Sequence, residues 1–433
     1  MTVADNKVFA AEKDKHILHA RDATTGKPVW QFTAGGRIDS PPTISEGRVL
    51  FGSHDGYVYC LNAADGQLIW KYRAAPTDRR LVAYEQIESV WPVHGSILVV
   101  DGRVYCVAGR SMFLDDGMRF LAIDLHTGRK IAETILNDMD PTTNQSLQAK
   151  IKGLSMPVAN PDILSYDDKS IFMKSQKFNL DGTRPVIEAA GNGRDQTGED
   201  AHLFSASDML DDSGFHRVSI IYGKEFPSGV ARHHTTLRYA PGGKMIVFDD
   251  SKIYGFSRLP HLHRWTRNLE FHIFAASQDE RIKPTVQKRG RSNAATKVNS
   301  VYEKTITLHS NDKERQRLLN SLTSTTIKYN WSNYDPAMFV NSMVLANKTL
   351  FAAGPPAIRN EITQDALLRW QGKSGGVLWS LSRDNGEKRS DYKLDAPPVF
   401  DGMAAAYGRL YLSLANGSII CFEEKHRAIR DEI

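Results

Sequence analysis

The sequence predicts an all-β fold, a propeller of seven or eight four-stranded antiparallel blades, on three observations. Two stretches repeat at a spacing of forty residues, Ala23-Thr24-Thr25-Gly26-Lys27-Pro28-Val29-Trp30 and Ala63-Ala64-Asp65-Gly66-Gln67-Leu68-Ile69-Trp70, and about forty residues make one blade. Four short strand patterns fit between Ser40 and Tyr72, leaving no room for the crossover helices of a parallel sheet. Partial copies then recur to the end of the chain.

The best-preserved unit runs Pro41-Pro42-Thr43-Ile44, Gly47-Arg48-Val49-Leu50-Phe51-Gly52, Asp55-Gly56-Tyr57-Val58-Tyr59-Cys60-Leu61 and Gln67-Leu68-Ile69-Trp70-Lys71-Tyr72. Asp55-Gly56 and Asp65-Gly66 supply the positive φ of tight turns, and Tyr57 and Tyr59 alternate with Val58 and Cys60 as a two-residue period demands. A third unit repeats the second strand at Asp101 to Cys106, the third at Phe120 to Asp124 and the turn at His126-Thr127-Gly128, with Arg110 to Gly117 inserted. Weaker copies follow at Ile163 to Met173 and Leu203 to Tyr222, and a clearer one at Lys244 to Phe274. Met343 to Gly386 makes a further unit, in which Trp379, like Trp30 and Trp70, is expected to dock one blade on the next. The last copy, Pro397 to Phe422, lacks a tryptophan strand. With a first unit that is thin before Lys7, this predicts ring closure by shared strands.

Radial repetition allows all 433 residues to form one domain, with a basic insertion at 279–330 expected between blades. The net charge of +5 resides there, since Asp279 to Arg317 holds ten Lys/Arg against five Asp/Glu. The remainder is neutral, which argues against nucleic acid as a partner. No apolar run approaches the eighteen residues of a membrane span, and no signal peptide is visible at Met1. The three cysteines, Cys60, Cys106 and Cys421, lie in apolar strand runs and read as buried packing residues.

The run from Asp55 to Trp70 resembles the repeat of pyrroloquinoline-quinone-type (PQQ) propellers, the family of quinoprotein alcohol dehydrogenases and the outer-membrane assembly lipoprotein propeller. A longer resemblance, through Glu88 to Ser96, Leu210 to Arg217, Val247 to Phe256 and Ala352 to Pro356, is to the PQQ-binding-like propellers of planctomycetes. Those proteins are named for their fold. The resemblance implies a periplasmic or cell-envelope setting and a chain longer at its N-terminus, with a cytoplasmic setting left open. The quinone chemistry it also implies needs a catalytic Asp, a calcium held by Glu, Asn and Asp, and usually adjacent cysteines. The cysteines here are at least 46 residues apart. No cofactor is therefore expected, with PQQ and calcium kept as the alternative.

Ligand-binding candidates come from the connection between the second and third units, longer than a blade needs: Arg79, Arg80, Glu85, Glu88, Trp91 and His94, with Arg110 in the adjoining insertion. His216 and Arg217 follow an acidic pair and could do acid–base work. Among the paired carboxylates, Asp115-Asp116 and Asp211-Asp212 are candidates for calcium, whereas Asp167-Asp168 and Asp249-Asp250 sit where hairpin turns want Asp. His233-His234 and His261-x-His263 read as surface loops. The expected function is a binding or assembly scaffold for a protein or a small polar ligand. A quinone-dependent dehydrogenase and a calcium-assisted hydrolase are the alternatives.

Overall fold

A computed structural model describes residues 1–140, 143–146, 163–173, 176–185, 194–205, 220–227, 240–258, 271–281, 325–334, 336–358 and 363–423. The first sheet comprises β1–β4 (Thr2–Ala4, Lys7–Glu12, Ile17–Asp22, Pro28–Thr33) and the second β5–β8 (Thr43–Ser45, Arg48–Gly52, Tyr57–Asn62, Leu68–Arg73). A separate hairpin, β9 and β10 (Arg80–Ala83, Gln86–Ser89), precedes the third sheet, β11–β14 (Leu98–Val100, Arg103–Ala108, Met118–Asp124, Lys130–Leu136). Two three-stranded sheets follow, β15–β17 (Leu164–Tyr166, Ser170–Met173, Gln176–Asn179) and β18–β20 (Arg194–Ser205, Ile220–Pro227, Gly242–Gly243). The sixth is β21–β24 (Met245–Phe248, Lys252–Arg258, Phe271–Arg281, Ile327–Tyr334) and the seventh β25–β28 (Ser342–Ala346, Thr349–Gly354, Gly376–Ser382, Lys388–Leu394). The chain ends in β29–β31 (Pro398–Ala406, Arg409–Leu414, Ile419–Glu423).

Every one of these sheets is an antiparallel meander in sequence order, and the fourth meets the fifth where β15–β17 lie beside β18, with Ser165 Oγ donating to Leu203 O at 2.6 Å. Phe9 and Leu18 of the first sheet meet Phe51 and Tyr59 of the second, and Leu50 and Trp70 of the second meet Val104 and Leu121 of the third. Further clusters join the third to the fourth, the fifth to the sixth, the sixth to the seventh and the seventh to the last. Val8 and Ala23 of the first sheet then pack on Tyr411 and Ala406 of the last. Sheets that face their neighbours in a closed cycle form a β-propeller.

One local device makes the junctions. The turn between third and fourth strands opens with an Asp or Asn whose carboxylate or amide oxygen accepts from backbone amides ahead, as Asp22 does from Thr24 and Thr25 and Asp124 from His126 and Thr127. It closes on a glycine at positive φ, Gly26, Gly66 or Gly128, and the corresponding turn that closes on Gly386 opens with Ser382 instead. A bulge one residue before each of these turns twists the outer strand. Onto the flat glycine of the next sheet lies the indole of the preceding one. Trp30 covers Gly66 and donates Nε1–H to the Ala63 carbonyl at 3.1 Å. Trp70 covers Gly128 and donates to Leu125 at 2.9 Å, and Trp331 covers Gly386 and donates to Arg383 at 3.0 Å.

Trp331, not Trp379, is therefore the docking indole of the later half. Trp379 lies in β27, a third strand, and packs in the core between the sixth and seventh sheets. The misreading has a simple source: Trp331 is separated from its own third strand by the basic insertion. That insertion departs from β23 and returns in β24, neighbouring strands of one sheet, so it lies inside a blade rather than between blades. At two further junctions a second-strand tyrosine reaches the same carbonyl. Tyr105 Oη donates to Leu180 at 2.6 Å while Ala132 sits against Gly182, and Tyr411 Oη donates to Ala23 at 2.9 Å.

That last bond closes the ring. All four strands of the first sheet lie within Thr2–Thr33, and among the described residues no strand of the last sheet pairs with it, so closure is by side-chain packing rather than by the shared strand expected. Cys60 and Cys106 are buried, but Cys421 is exposed on the uncovered outer strand β31, against the expectation for all three. An α-helix, α1 (Gln364–Trp370), capped by Thr363 Oγ1 accepting from Ala366 N at 3.1 Å, fills the connection between β26 and β27.

The docking device predicts unequal glycine substitutions. At Gly26 an added Cβ would touch nothing within 4 Å, whereas at Gly128 it would lie 2.7 Å from the Trp70 ring. Both carry left-handed strain of about 1–2 kcal/mol, and Gly128→Ala adds about 1–3 kcal/mol of overpacking. Denaturant unfolding of the two variants checks this, and equal losses would count against the junction as described.

Candidate functional site

The sequence-predicted residues around 79–110 gather at the loop ends of the first three sheets. Gly35 and Gly36 lead out of β4, and a Cβ on Gly36 would stand 2.6 Å from the Asp55 amide nitrogen, so only glycine lets this connection press on the 53–56 turn. Backbone bonds fix the contact: His54 N donates to Arg37 O at 2.9 Å, Ser89 N to His54 O at 2.7 Å and Val93 N to Ser53 O at 3.1 Å. Arg37, Asp39, His54, Glu88 and His94 are thereby brought together from four separate segments.

The centre is the His54 imidazole, 1% exposed. Its Nε2 lies 2.6 Å from Asp39 Oδ2 and its Nδ1 3.0 Å from Glu88 Oε2. Arg37 Nη2 also stands 3.2 Å from Nδ1, but a carboxylate beside each ring nitrogen favours the imidazolium, in which both nitrogens donate. Glu88 also accepts from Arg110 Nη2 at 2.6 Å and forms an ion pair with Arg37, whose Nε stands 2.9 Å from Oε1 without hydrogen-bond geometry, while Lys13 Nζ stands 3.7 Å from Asp39 Oδ1 at the rim. Burial by itself pushes both carboxyls up and the imidazole down. The mutual hydrogen bonds and charges win: Asp39 falls to about 2, Glu88 falls below its ordinary range and His54 rises above 6.5.

His94 stands edge-on to His54, ring centroids 5.3 Å apart, and its Nε2 is buried with no hydrogen-bond partner. Burial first, and then the positive His54, lower it to about 3, so it is neutral. The other candidates take different roles. Trp91 is buried and donates Nε1–H to the carbonyls of Asp115 and Gly117, pinning the insertion between β12 and β13. Arg79 pairs with Asp115 Oδ1 at 3.2 Å and Arg80 with Asp78 at 3.0 Å, both exposed. Asp115 and Asp116 occupy a left-handed turn, φ 52° and 60°, and the Asp115 carboxylate holds the Arg79 guanidinium. Glu85 is exposed at the tip of the β9–β10 hairpin. His216, Arg217, Asp211 and Asp212 lie outside the described residues, as do His233, His234, His261 and His263. Asp167 and Asp249 accept from the amides of their own turns, as read from the sequence.

Sequence reasoning missed Lys13, Arg37, Asp39 and His54. His54 sits inside the repeat, where Asp55-Gly56 accounts for the turn and draws attention from its neighbour. Arg37-x-Asp39 sits in the connection between sheets, which has no periodicity. The hairpin itself was also missed, although Val82 and Ile87, opposite each other in its register, alternate with Leu81 and Glu88. It folds back over the site. The Tyr84 ring lies 4.3 Å from the Arg37 guanidinium, and Gln86 bonds His16 Nε2 at 2.7 Å and Asp14 O at 3.2 Å.

The His54 bridge has a pH signature. Its folded value is raised above 6.5, so its contribution is complete below that pH and is lost as pH rises through the folded value. The stability difference between wild type and His54→Gln should be largest near pH 5–6 and shrink towards pH 9. A difference that is flat or grows with pH would contradict the imidazolium.

Residues 1–153 match the model of a family described as outer membrane protein assembly factor BamB. Two curated relatives of that name are similar over short stretches. The one from Moranella endobia is 31% identical over 70 residues, 16% of this chain and 18% of that protein. The one from Escherichia coli K12 is 32% identical over 83 residues, 17% of this chain and 21% of that protein. The match thus spans about a fifth of these relatives' length. Among solved structures, BamB from Moraxella catarrhalis aligns over 98% of this chain and 94% of its own at 12% identity and TM-score 0.47. Quinohemoprotein alcohol dehydrogenase ADHIIG from Pseudomonas putida HK5 aligns over 95% of this chain and 68% of its own, also at 12% and 0.47. Residues 1–153 are thus similar to the PQQ-like repeat family of that assembly factor, and the cycle of docked meanders shows a β-propeller.

Proposed function

We propose that the protein is a non-catalytic scaffold of the cell envelope that docks a protein partner on the β9–β10 hairpin. The observation that carries this reading is a two-faced hairpin. One face is anchored, through Leu81 in the core between the second and third sheets and through Glu88 in the charge cluster. The other exposes Val82, Tyr84 and Ile87, at 76%, 67% and 65%. Apolar side chains held this far into water on a rigid element are the signature of an interaction surface. Phe113 and Leu114 extend the apolar surface on the insertion that Arg79 and Trp91 tie to the hairpin's base. The tip is also strained, with Tyr84 and Glu85 at φ 50° and 62°, the geometry of a two-residue hairpin turn that ordinarily selects Asn-Gly. A bulky residue held there at a cost fits a role in binding. The printed names of the curated relatives, assembly factors, point the same way.

The donor set at this site does not suit a calcium-held quinone. Calcium takes six to eight oxygens, whereas here two carboxylates are already engaged by an imidazolium and two guanidiniums. Cys60 and Cys106 are separately buried thiols rather than an adjacent pair.

A photo-crosslinking residue placed at Val82, and a second at exposed Tyr407 in the last sheet, tests the docking face in the native host. The expected result is one discrete protein adduct at position 82, absent at 407 and abolished by Ile87→Asp in the same chain. Equal labelling at both positions, or dye-linked alcohol oxidation on adding PQQ and calcium, would overturn the proposal.

A further inference from the structure

We propose that Asp39, His54 and His94 form a binding site for a divalent transition metal, zinc by its ligand chemistry, with a fourth coordination position left open. One ligand atom from each of the three lies within 4.8 Å of the other two. Small adjustments bring such a set around an ion at the about 2.0–2.2 Å that zinc requires of imidazole and carboxylate. Two nitrogens and one oxygen suit zinc and do not suit calcium or magnesium.

Two features beyond proximity support the assignment. The first is His94 Nε2, a buried ring nitrogen without a partner. An unsatisfied buried polar atom costs about 1–3 kcal/mol, and in the tautomer that leaves Nε2 unprotonated the ring offers a free lone pair beside a carboxylate and a second histidine. The second is the surroundings of His54. Its Nδ1 bonds Glu88 Oε2 at 3.0 Å, and Glu88 is in turn held by Arg37 and Arg110. That carboxylate–imidazole arrangement orients the opposite nitrogen, Nε2, as a ligand and raises its basicity. Here Nε2 points at Asp39. On binding, the ion takes the place of the proton shared between His54 Nε2 and Asp39, and that proton leaves to solvent. Glu88 is shared by Arg37 and Arg110, so the incoming charge is met by Asp39, by the loss of the His54 proton and by the withdrawal of Lys13, half-exposed on a flexible stem at 3.7 Å from Asp39.

The ligands come from the connection after β4, the turn between β6 and β7, and the segment after β10. A bound ion would clamp the first and second sheets to the strand that leads out of the hairpin.

Cobalt(II) titration of the metal-free full chain, followed by visible absorption, tests the site against zinc competition. The expected result is a one-to-one ligand-field spectrum of a four- or five-coordinate ion, displaced by zinc, at micromolar protein. His94→Gln and Asp39→Asn, each checked for folding by circular dichroism, should each reduce affinity at least tenfold. X-ray absorption of the zinc-loaded wild type, which needs no variant, should give a nitrogen and oxygen shell with imidazole scattering. Absence of saturable binding, undiminished binding in both variants, or a sulfur shell from the exposed Cys421 would each overturn the proposal.

Discussion

An aromatic ring laid over a glycine turn, its polar hydrogen on the carbonyl beside that turn, is the contact on which the ring of sheets depends. A four-stranded meander has two apolar faces and cannot bury either alone. The glycine leaves a flat patch where any side chain would hold the next sheet off, and the carbonyl fixes where the indole stops. Trp30, Trp70 and Trp331 meet this requirement identically. Tyr105 and Tyr411 supply only the bond to the carbonyl, from a different strand, so the carbonyl rather than the indole is what these five junctions share.

The charge cluster follows from that architecture. Docking the first two sheets on the third brings the connection after β4, the 53–56 turn and the strand leaving β10 to one place, and their backbones bond to one another. Arg37, Arg110 and His54 then face two largely buried carboxylates. Such an arrangement is strongly destabilised if one member is removed, by about 3–5 kcal/mol for a buried pair. It is not in itself evidence of catalysis. What it does provide is a rigid floor. The hairpin lies on that floor through Glu88 and Tyr84, and so can hold Val82 and Ile87 in water without collapsing.

The strands were legible because alternation and Asp-Gly turns are local signals, and Asp55 to Trp70 carries both within sixteen residues of unbroken repeat. Glu88, Trp91, His94 and Arg110 were legible as a group because an over-long connection marks itself. Arg37, Asp39 and His54 were not, since their meeting depends on Gly36 allowing two backbones to touch, a contact no spacing announces. Trp379 was misassigned for a related reason. A tryptophan near a turn looks the same in a third strand as in a fourth, and only pairing of β23 with β24 across the insertion distinguishes them.

Hydrogen exchange at the individual indole N–H groups, resolved by nitrogen-labelled tryptophan NMR, addresses the junctions directly. If indoles lock neighbouring sheets, Trp30, Trp70 and Trp331 exchange only with global opening, slowed by several orders of magnitude, and all at similar rates. Exchange at Trp70 within minutes in an otherwise folded protein would show that its N–H is not held by Leu125, and that the sheets are joined some other way.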